Sequence, residues 1–420
     1  MSPNQLSAPA DRVVVVGGGA AGFFAAIACA QGNPESEVSI FERGSDFLSK
    51  VRISGGGRCN VTHALFDTRM FATRYPRGHR ELISALHRFS AADTVSWFQD
   101  RGVELKTEED GRMFPVTDSS KTIVDCLVRE AKHAGVRMWT RRGVSKVRVR
   151  SGGGFELTLS DGTEVVCNKL LLAAGGCRNV SAGELARMLG HVIEPPVPSL
   201  FSFHVDSTWL RALPGLTVPD VQVSVEKLCE RGPLLITHNG VSGPAILRLS
   251  AWGARVLHAL EYRFSLTVNW VPPMNDASLR DKFRSRRNAH PNRRVANWPI
   301  NGLPTRLWDA LVANSDISPT TTWTTLSRAG SNSLIRHLRA TELRVNGKSL
   351  NKEEFVTCGG VRLREVDFKT MESRITPGLY LAGELLDIDG ITGGFNFQAA
   401  WATGWIAGHA MAGVKPGAVS

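Results

Sequence analysis

The feature that most constrains this chain is a run of four valines, Val13–Val16, entering six small residues, Gly17-Gly18-Gly19-Ala20-Ala21-Gly22. Consecutive β-branched residues suit a strand buried on both faces of a parallel sheet. The small residues fit GxGxxG, and each glycine has its own task. Gly17 permits a tight turn, Gly19 lets a pyrophosphate approach the backbone, and Gly22 lets the next helix pack closely on the strand. That helix begins at Ala20 and Ala21 and aims its free N–H groups at the phosphates. The uncharged stretch 13–30 is long enough to raise the question of a membrane span. The glycines divide it into a short strand and an Ala-rich helix, so no membrane segment is expected.

A second strand, Glu37–Phe41, ends at Glu42 and Arg43. Glu42 stands about 20 to 25 positions past the first glycine, where an acid receives ribose hydroxyls. A carboxylate there repels a 2′-phosphate, which favours FAD or NAD over NADP. FAD is favoured by a further segment in which Lys50, Arg52 and Arg58 flank Gly55-Gly56-Gly57 and lead into Cys59 and Asn60. A flexible, cationic backbone loop of this kind suits an extended anionic cofactor. Its alternative is a surface loop without function.

Two later segments complete the picture. The apolar strand 169–174 stops at Gly175 and Gly176, and a short strand from Gly378 leads to Gly383 and Glu384. Beyond it, the turn Gly393-Gly394 opens, through Phe395 and Asn396, onto a helix-compatible run, 397–411, rich in Ala and Gly. Backbone N–H groups at such a turn, with a helix dipole behind them, suit the electron-rich edge of a reduced flavin. Glu384 is then an acceptor for ribityl hydroxyls. Taken singly, Glu384 and Asp387 would read as solvated loop carboxylates.

Together the pieces GGGAAG, FERG, KVRISGGGRCNVTH (50–63), LLAAGG (171–176), GPLLITHNGVSGPAIL (232–247) and GELLDIDGITGGFN (383–396) are specific. The chain resembles the BaiN/YhiN-type NAD(P)/FAD-dependent flavoprotein family, which includes aminoacetone-oxidase-like members. The resemblance implies an α/β fold: a discontinuous Rossmann-type domain binding FAD non-covalently, with an inserted β-barrel-like domain and a small helical subdomain. The implied boundaries are 1–195 and 341–420 for the two FAD-binding parts, 196–270 and 326–340 for the inserted domain, and 271–325 for the helices. It places Gly17, Gly19, Gly22 and Glu42 at the ADP half. Gly57, Arg58, Cys59, Asn60, Gly383, Glu384, Gly394, Phe395 and Asn396 fall near the rest of the cofactor. The stretch after LLAAGG, Cys177–Glu184, departs from the Ser/Pro/Gly-rich continuation usual in the family, which leaves the contacts there open.

No second GxGxxG follows a strand, and Gly152-Gly153-Gly154 reads as a hairpin turn. NADH or NADPH is therefore expected to dock only transiently as electron donor. Seven scattered cysteines without a CxxC pair argue against structural zinc and a disulfide framework, and for reduced thiols in a cytoplasmic protein. The net charge of +11 favours contact with anions, and bases cluster at 280–294 in the insertion. That cluster is either a solvated helix face or a contact for structured RNA. The expected activity is reduction of an activated C=C bond in a small-molecule substrate. An RNA pyrimidine reductase and an oxidase of a small amine are the alternatives, and a non-enzymatic flavin-binding module is a further one. Cys59 and His238 are the candidate proton donors, and no metal is expected.

Overall fold

The computed structural model describes residues 11–177, 180–300, 302–349 and 356–414. The chain forms two compact units, one from 1–198 with 352–420 and the other from 199–351. In the first, the valine run becomes the strand Arg12–Val16, third from one edge of a seven-stranded sheet and central among its five parallel strands. The spatial order is Arg137–Trp139, Glu37–Phe41, Arg12–Val16, Lys169–Leu172, Leu379–Leu381, Glu372–Ser373 and Val366–Asp367. The first five strands are parallel, and the last two pairings are antiparallel. This order, with a helix directly after the central strand, is that of a nucleotide-binding Rossmann sheet.

Residues from the two ends of the chain share this core. The fingerprint helix Ala20–Gly32 packs on the C-terminal helix Phe395–Met411, and small residues set the spacing. A methyl group at Gly404 would lie 2.4 Å from the Ala21 carbonyl oxygen, and one at Gly408 2.4 Å from that of Ala25. Backbone therefore meets backbone along this seam, which no larger residue permits.

At the sheet's antiparallel edge, the enclosed His191 lies between Glu365 and Ser373. Its Nδ1 is 3.1 Å from Glu365 Oε2, and its Nε2 is 2.8 Å from Ser373 Oγ. Ser373 Oγ already accepts the N–H groups of Ile375 (3.0 Å) and Thr376 (2.9 Å). A buried hydroxyl with its acceptor sites filled is a structural pin, not a nucleophile.

The second unit holds a closed six-stranded barrel in the order Ser202–Val205, Gly240–Ser242, Leu228–Thr237, Thr217–Val225, Phe264–Asn269 and Thr341–Ser349. The last strand corrects the sequence boundary. Residues 341–349 do not return to the FAD-binding domain but close the barrel against Phe264–Asn269 and Ser202–Val205. The helices Asp276–Ala289, Thr305–Ala313 and Arg328–Arg339 are not a subdomain with a core of their own. Trp308, Trp323 and Leu338 join barrel residues such as Val221, Val268 and Leu343 in one buried cluster.

The basic stretch 280–294 is likewise not one solvated face. Arg286 is buried and donates to the carbonyls of Trp298 and Pro299, and burial lowers its pKa to about 10. Arg287 donates to the carbonyls of Trp323 (2.8 Å) and Leu326 (2.6 Å). Two of the bases thus act as backbone staples, and of the clustered bases only Arg286 is buried, while Arg280, Lys282, Arg284, Arg287, Arg293 and Arg294 are exposed.

Candidate flavin site

The glycines of the fingerprint divide the work as their spacing requires. A methyl at Gly17 (φ +110°) would lie 2.3 Å from the Ala173 carbonyl, and one at Gly22 2.0 Å from the Gly17 carbonyl. Beside Gly19, by contrast, nothing lies within 4 Å of the position a Cβ would take. Gly19 is also the N-cap of the fingerprint helix and brings no side chain to its first-turn N–H groups. Free amides facing open space make a fit for a pyrophosphate.

Glu42 stands at the rim of this cradle. Its carboxylate accepts the N–H of Gly18 (2.8 Å) and of Gly44 (2.6 Å). Each oxygen keeps a further lone pair, so the group is both fixed in place and able to receive ribose hydroxyls. Arg43 is exposed, with its side chain laid over Gly143.

The segment after Lys50 differs from the plain flexible loop expected. It starts as the helix Ser49–Gly57, which breaks at Ser54–Gly56. Gly55, Gly56 and Gly57 then take left-handed conformations with φ of +58°, +69° and +84°. Around Gly56 and Gly57, and again at Gly175 (φ +79°), a Cβ would meet nothing within 4 Å. Lys50 pairs with Glu384, whose other oxygen accepts the Thr357 N–H (3.1 Å). Arg58 is held by Glu108 (2.6 Å) and lies over the Phe114 ring (4.0 Å). Its charge is already matched.

Neither Glu384 nor Asp387 is a solvated loop acid. Glu384 is half-buried, and Asp387 is buried. Next to them, Asp389 is fully buried and makes a two-pronged ion pair with Arg77. Gly383 sits against the fingerprint helix, where a methyl would lie 2.9 Å from the Ala21 Cβ.

The start of the C-terminal helix is built from three separated segments. With its carboxamide turned to match both neighbours, Asn60 accepts the Gly394 N–H (2.9 Å) and donates to the Thr62 carbonyl (3.0 Å). Asn396 brackets Gly390, accepting its N–H (2.8 Å) and donating to its carbonyl (3.0 Å). The Tyr75 hydroxyl donates to the Phe395 carbonyl (2.6 Å). The Gly394 N–H is therefore committed to Asn60, which corrects the view that the whole glycine turn addresses a flavin.

Sequence reasoning passed over His63. The residue stands three places after the GGGRCN segment, and that proximity was the available signal. Its Nδ1 lies 3.0 Å from the Gly393 carbonyl oxygen, and its ring stacks on Phe395 at 4.8 Å. Burial lowers its pKa from the ordinary value, while the bond to Gly393 pulls the other way.

The two candidate proton donors fare differently. The Cys59 thiol is fully enclosed, and burial pushes its pKa up to about 12, so it is a poor donor to a bound substrate. His238 is exposed in the turn joining Leu228–Thr237 to Gly240–Ser242 of the inserted unit. The departing stretch after Cys177 lies partly outside the described residues, because 178 and 179 are not among them.

Comparison with known proteins agrees with the Rossmann fold. The family described as "HI0933-like protein Rossmann domain" matches residues 11–410. A 3-dehydro-bile acid delta(4,6)-reductase of Clostridium scindens is 30% identical over 96% of this chain and 99% of its own length. A ribosomal RNA dihydrouridine synthase of Escherichia coli is 31% identical over 96% of this chain and 98% of its own. Among solved structures, a 3-ketosteroid-delta4-(5alpha)-dehydrogenase from Rhodococcus jostii aligns with a TM-score of 0.51 at 15% identity. It covers 98% of this chain and 99% of that one, a likeness of fold.

Proposed function

The chain belongs to the HI0933-like Rossmann family and is an FAD-dependent oxidoreductase; from that premise we propose that it reduces a C=C bond conjugated to a carbonyl, with NADH or NADPH as electron donor. One observation carries the reading. Two relatives matched over 96% of the chain are named for different substrates, yet both names describe saturation of a C=C bond beside a carbonyl. A shared fold does not by itself fix a reaction, and a reaction common to divergent relatives is a stronger guide.

The residues support this role as follows. Gly17, Gly19, Ala20, Ala21 and Gly22 present the fingerprint helix to the cofactor's pyrophosphate, and Glu42 receives its ribose. Glu384, steadied by the Thr357 N–H and neutralised by Lys50, is the acceptor for the ribityl hydroxyls. The N-terminus of the helix Phe395–Met411 supplies donors and a positive dipole end for the pyrimidine edge. When bound, FAD supplies the redox chemistry that no side chain can. Among the described residues no group of three or more metal-binding side chains occurs.

A second reading, with RNA as substrate, is favoured by the division of charge. The inserted unit carries 19 Lys and Arg against 10 Asp and Glu, whereas the FAD-binding unit carries 31 against 29. Nearly all of the excess positive charge thus lies in the insertion, where a polyanion would be met.

The test is anaerobic mixing with NADH or NADPH, followed by an α,β-unsaturated ketone or a uridine-containing ribosomal RNA transcript. Bleaching of the flavin absorbance by a nicotinamide and its return on adding one of these acceptors is expected. Recovery with RNA alone, lost steeply on raising salt, selects the second reading. Rapid recovery in air with stoichiometric peroxide and none with either acceptor would replace both readings by an amine or other oxidase.

A further inference from the structure

We propose that His63 is a positioning residue that holds the Gly393–Gly394 peptide by its carbonyl, so that with Asn60 on the amide it fixes the start of the C-terminal helix toward the flavin. The proposal rests on the reading that this helix start meets the pyrimidine edge of FAD.

The carbonyl of Gly393 and the N–H of Gly394 are the two ends of one peptide group. A carbonyl only accepts, so His63 Nδ1, 3.0 Å away, carries the proton and donates it. Asn60 takes the opposite end at 2.9 Å. Each bond polarises the peptide in the sense that strengthens the other.

Glycine alone would not hold this conformation. Gly393 and Gly394 stand at φ of +127° and +89°, and residues without a Cβ visit many other states at little cost. An external clamp on both ends of the peptide removes that freedom. It also decides which donors remain. With the Gly394 N–H committed to Asn60, the first-turn amides that follow it have no intrahelical partner and are left for a ligand.

The His63 ring is built to be immobile. Strand pairing sets His63 opposite Arg112, and Thr62 opposite Met113. Phe395 stacks on one face of the imidazole with an interplanar angle of 27°. A methyl at Gly111 would lie 2.5 Å from Nε2, and one at Gly393 3.2 Å from Nδ1. Asp110 and Arg112, from the hairpin of strands Leu105–Thr107 and Arg112–Pro115, and Arg74, from the segment after Thr68–Ala72, are the charged groups that act on it.

The test uses the full chain with His63→Ala, His63→Phe and His63→Asn. Asparagine can return an N–H donor near the Nδ1 position, whereas phenylalanine restores only the stacking ring. Hydrogen exchange of the peptide 390–397 without FAD should quicken in H63A and H63F and return toward the wild-type rate in H63N. The FAD dissociation constant should rise about tenfold in the first two and stay within about threefold in the third. Wild-type exchange and affinity in H63F would show that packing alone is at work and overturn the proposal. Equal defects in H63A and H63N would overturn it too, because a lost donor could then not be the cause. None of these readouts needs a nicotinamide or a substrate, so failure to reduce an enone would sink the proposed function and leave them intact. Wild-type protein that does not bind FAD would overturn this proposal together with the flavin assignment.

Discussion

Gly17–Gly22 and Gly55–Gly57 are both glycine-rich, yet glycine is required in them for opposite reasons. In the first, packing leaves no room: a methyl at Gly17 or Gly22 would press a backbone carbonyl at 2.3 or 2.0 Å. In the second, Gly56 and Gly57 have empty space around them, and it is the left-handed backbone that excludes side chains. A glycine forced by contact welds helix to strand. One forced by conformation bends the chain around space that is kept open. The two patterns look alike in sequence and should respond to substitution very differently.

The largest effect should come from Gly22→Ala. The new methyl can be accommodated only by parting the fingerprint helix from the strand Arg12–Val16, at a cost of about 3 kcal/mol. Urea unfolding should show that loss, and the purified protein should carry no flavin absorbance. Normal stability with bound FAD would break the comparison. Glu42→Ala should come next and act on binding more than on folding. It removes the acceptor shared by the Gly18 and Gly44 amides, and charge-assisted bonds of this kind contribute about 1.5–3 kcal/mol. The FAD dissociation constant, read by fluorescence titration, should rise at least about tenfold.

Gly57→Ala should cost less, about 1–2 kcal/mol, because only the backbone preference opposes it. Thermal unfolding with and without FAD would sharpen the contrast. At a concentration of about 100 times its dissociation constant, FAD adds about 2.7 kcal/mol to whichever variant still binds it. That increment should survive in G57A and vanish in G22A.

The smallest effect concerns pH, and it lies outside both glycine segments. Burial lowers the pKa of His191, with the bond to Glu365 opposing the shift. The unfolded chain therefore takes up the proton first as pH falls. Stability is fully present above the ordinary histidine pKa and declines as pH drops toward the lowered folded value. The loss measured by urea unfolding between pH 7.5 and pH 5 should shrink in His191→Gln. An unchanged loss would assign the acid response to other groups.

Much of the flavin-binding unit was legible in the sequence. The strand, turn, helix and terminal acid of the fingerprint occupy about thirty consecutive residues, and each step is set by residues next to it. The hairpin at Gly152–Gly154 and the C-terminal helix were legible for the same reason, and they appear as Val144–Val149 with Phe155–Leu159 and as Phe395–Met411. The barrel strand Thr341–Ser349 was misplaced because a strand does not announce its partner. The bases of 280–294 were read as a solvated face or an RNA contact, although Arg286 is buried and both Arg286 and Arg287 donate to backbone carbonyls. Composition counts charges and is blind to where they point.

The sequence by itself carried a nucleotide-binding fingerprint at a glycine turn, and its resemblance to a flavoprotein family implied that the two ends of the chain build one FAD-binding fold. The fingerprint rests on local backbone geometry and on small residues that permit close approach. Only the tertiary structure decided that His63 and Asn60 seize opposite ends of one peptide some 330 residues away, that Asp389 is buried against Arg77, and that the Cys59 thiol is enclosed. Contacts between such distant segments depend on how whole elements pack, and neighbouring residues in the chain carry no record of that packing.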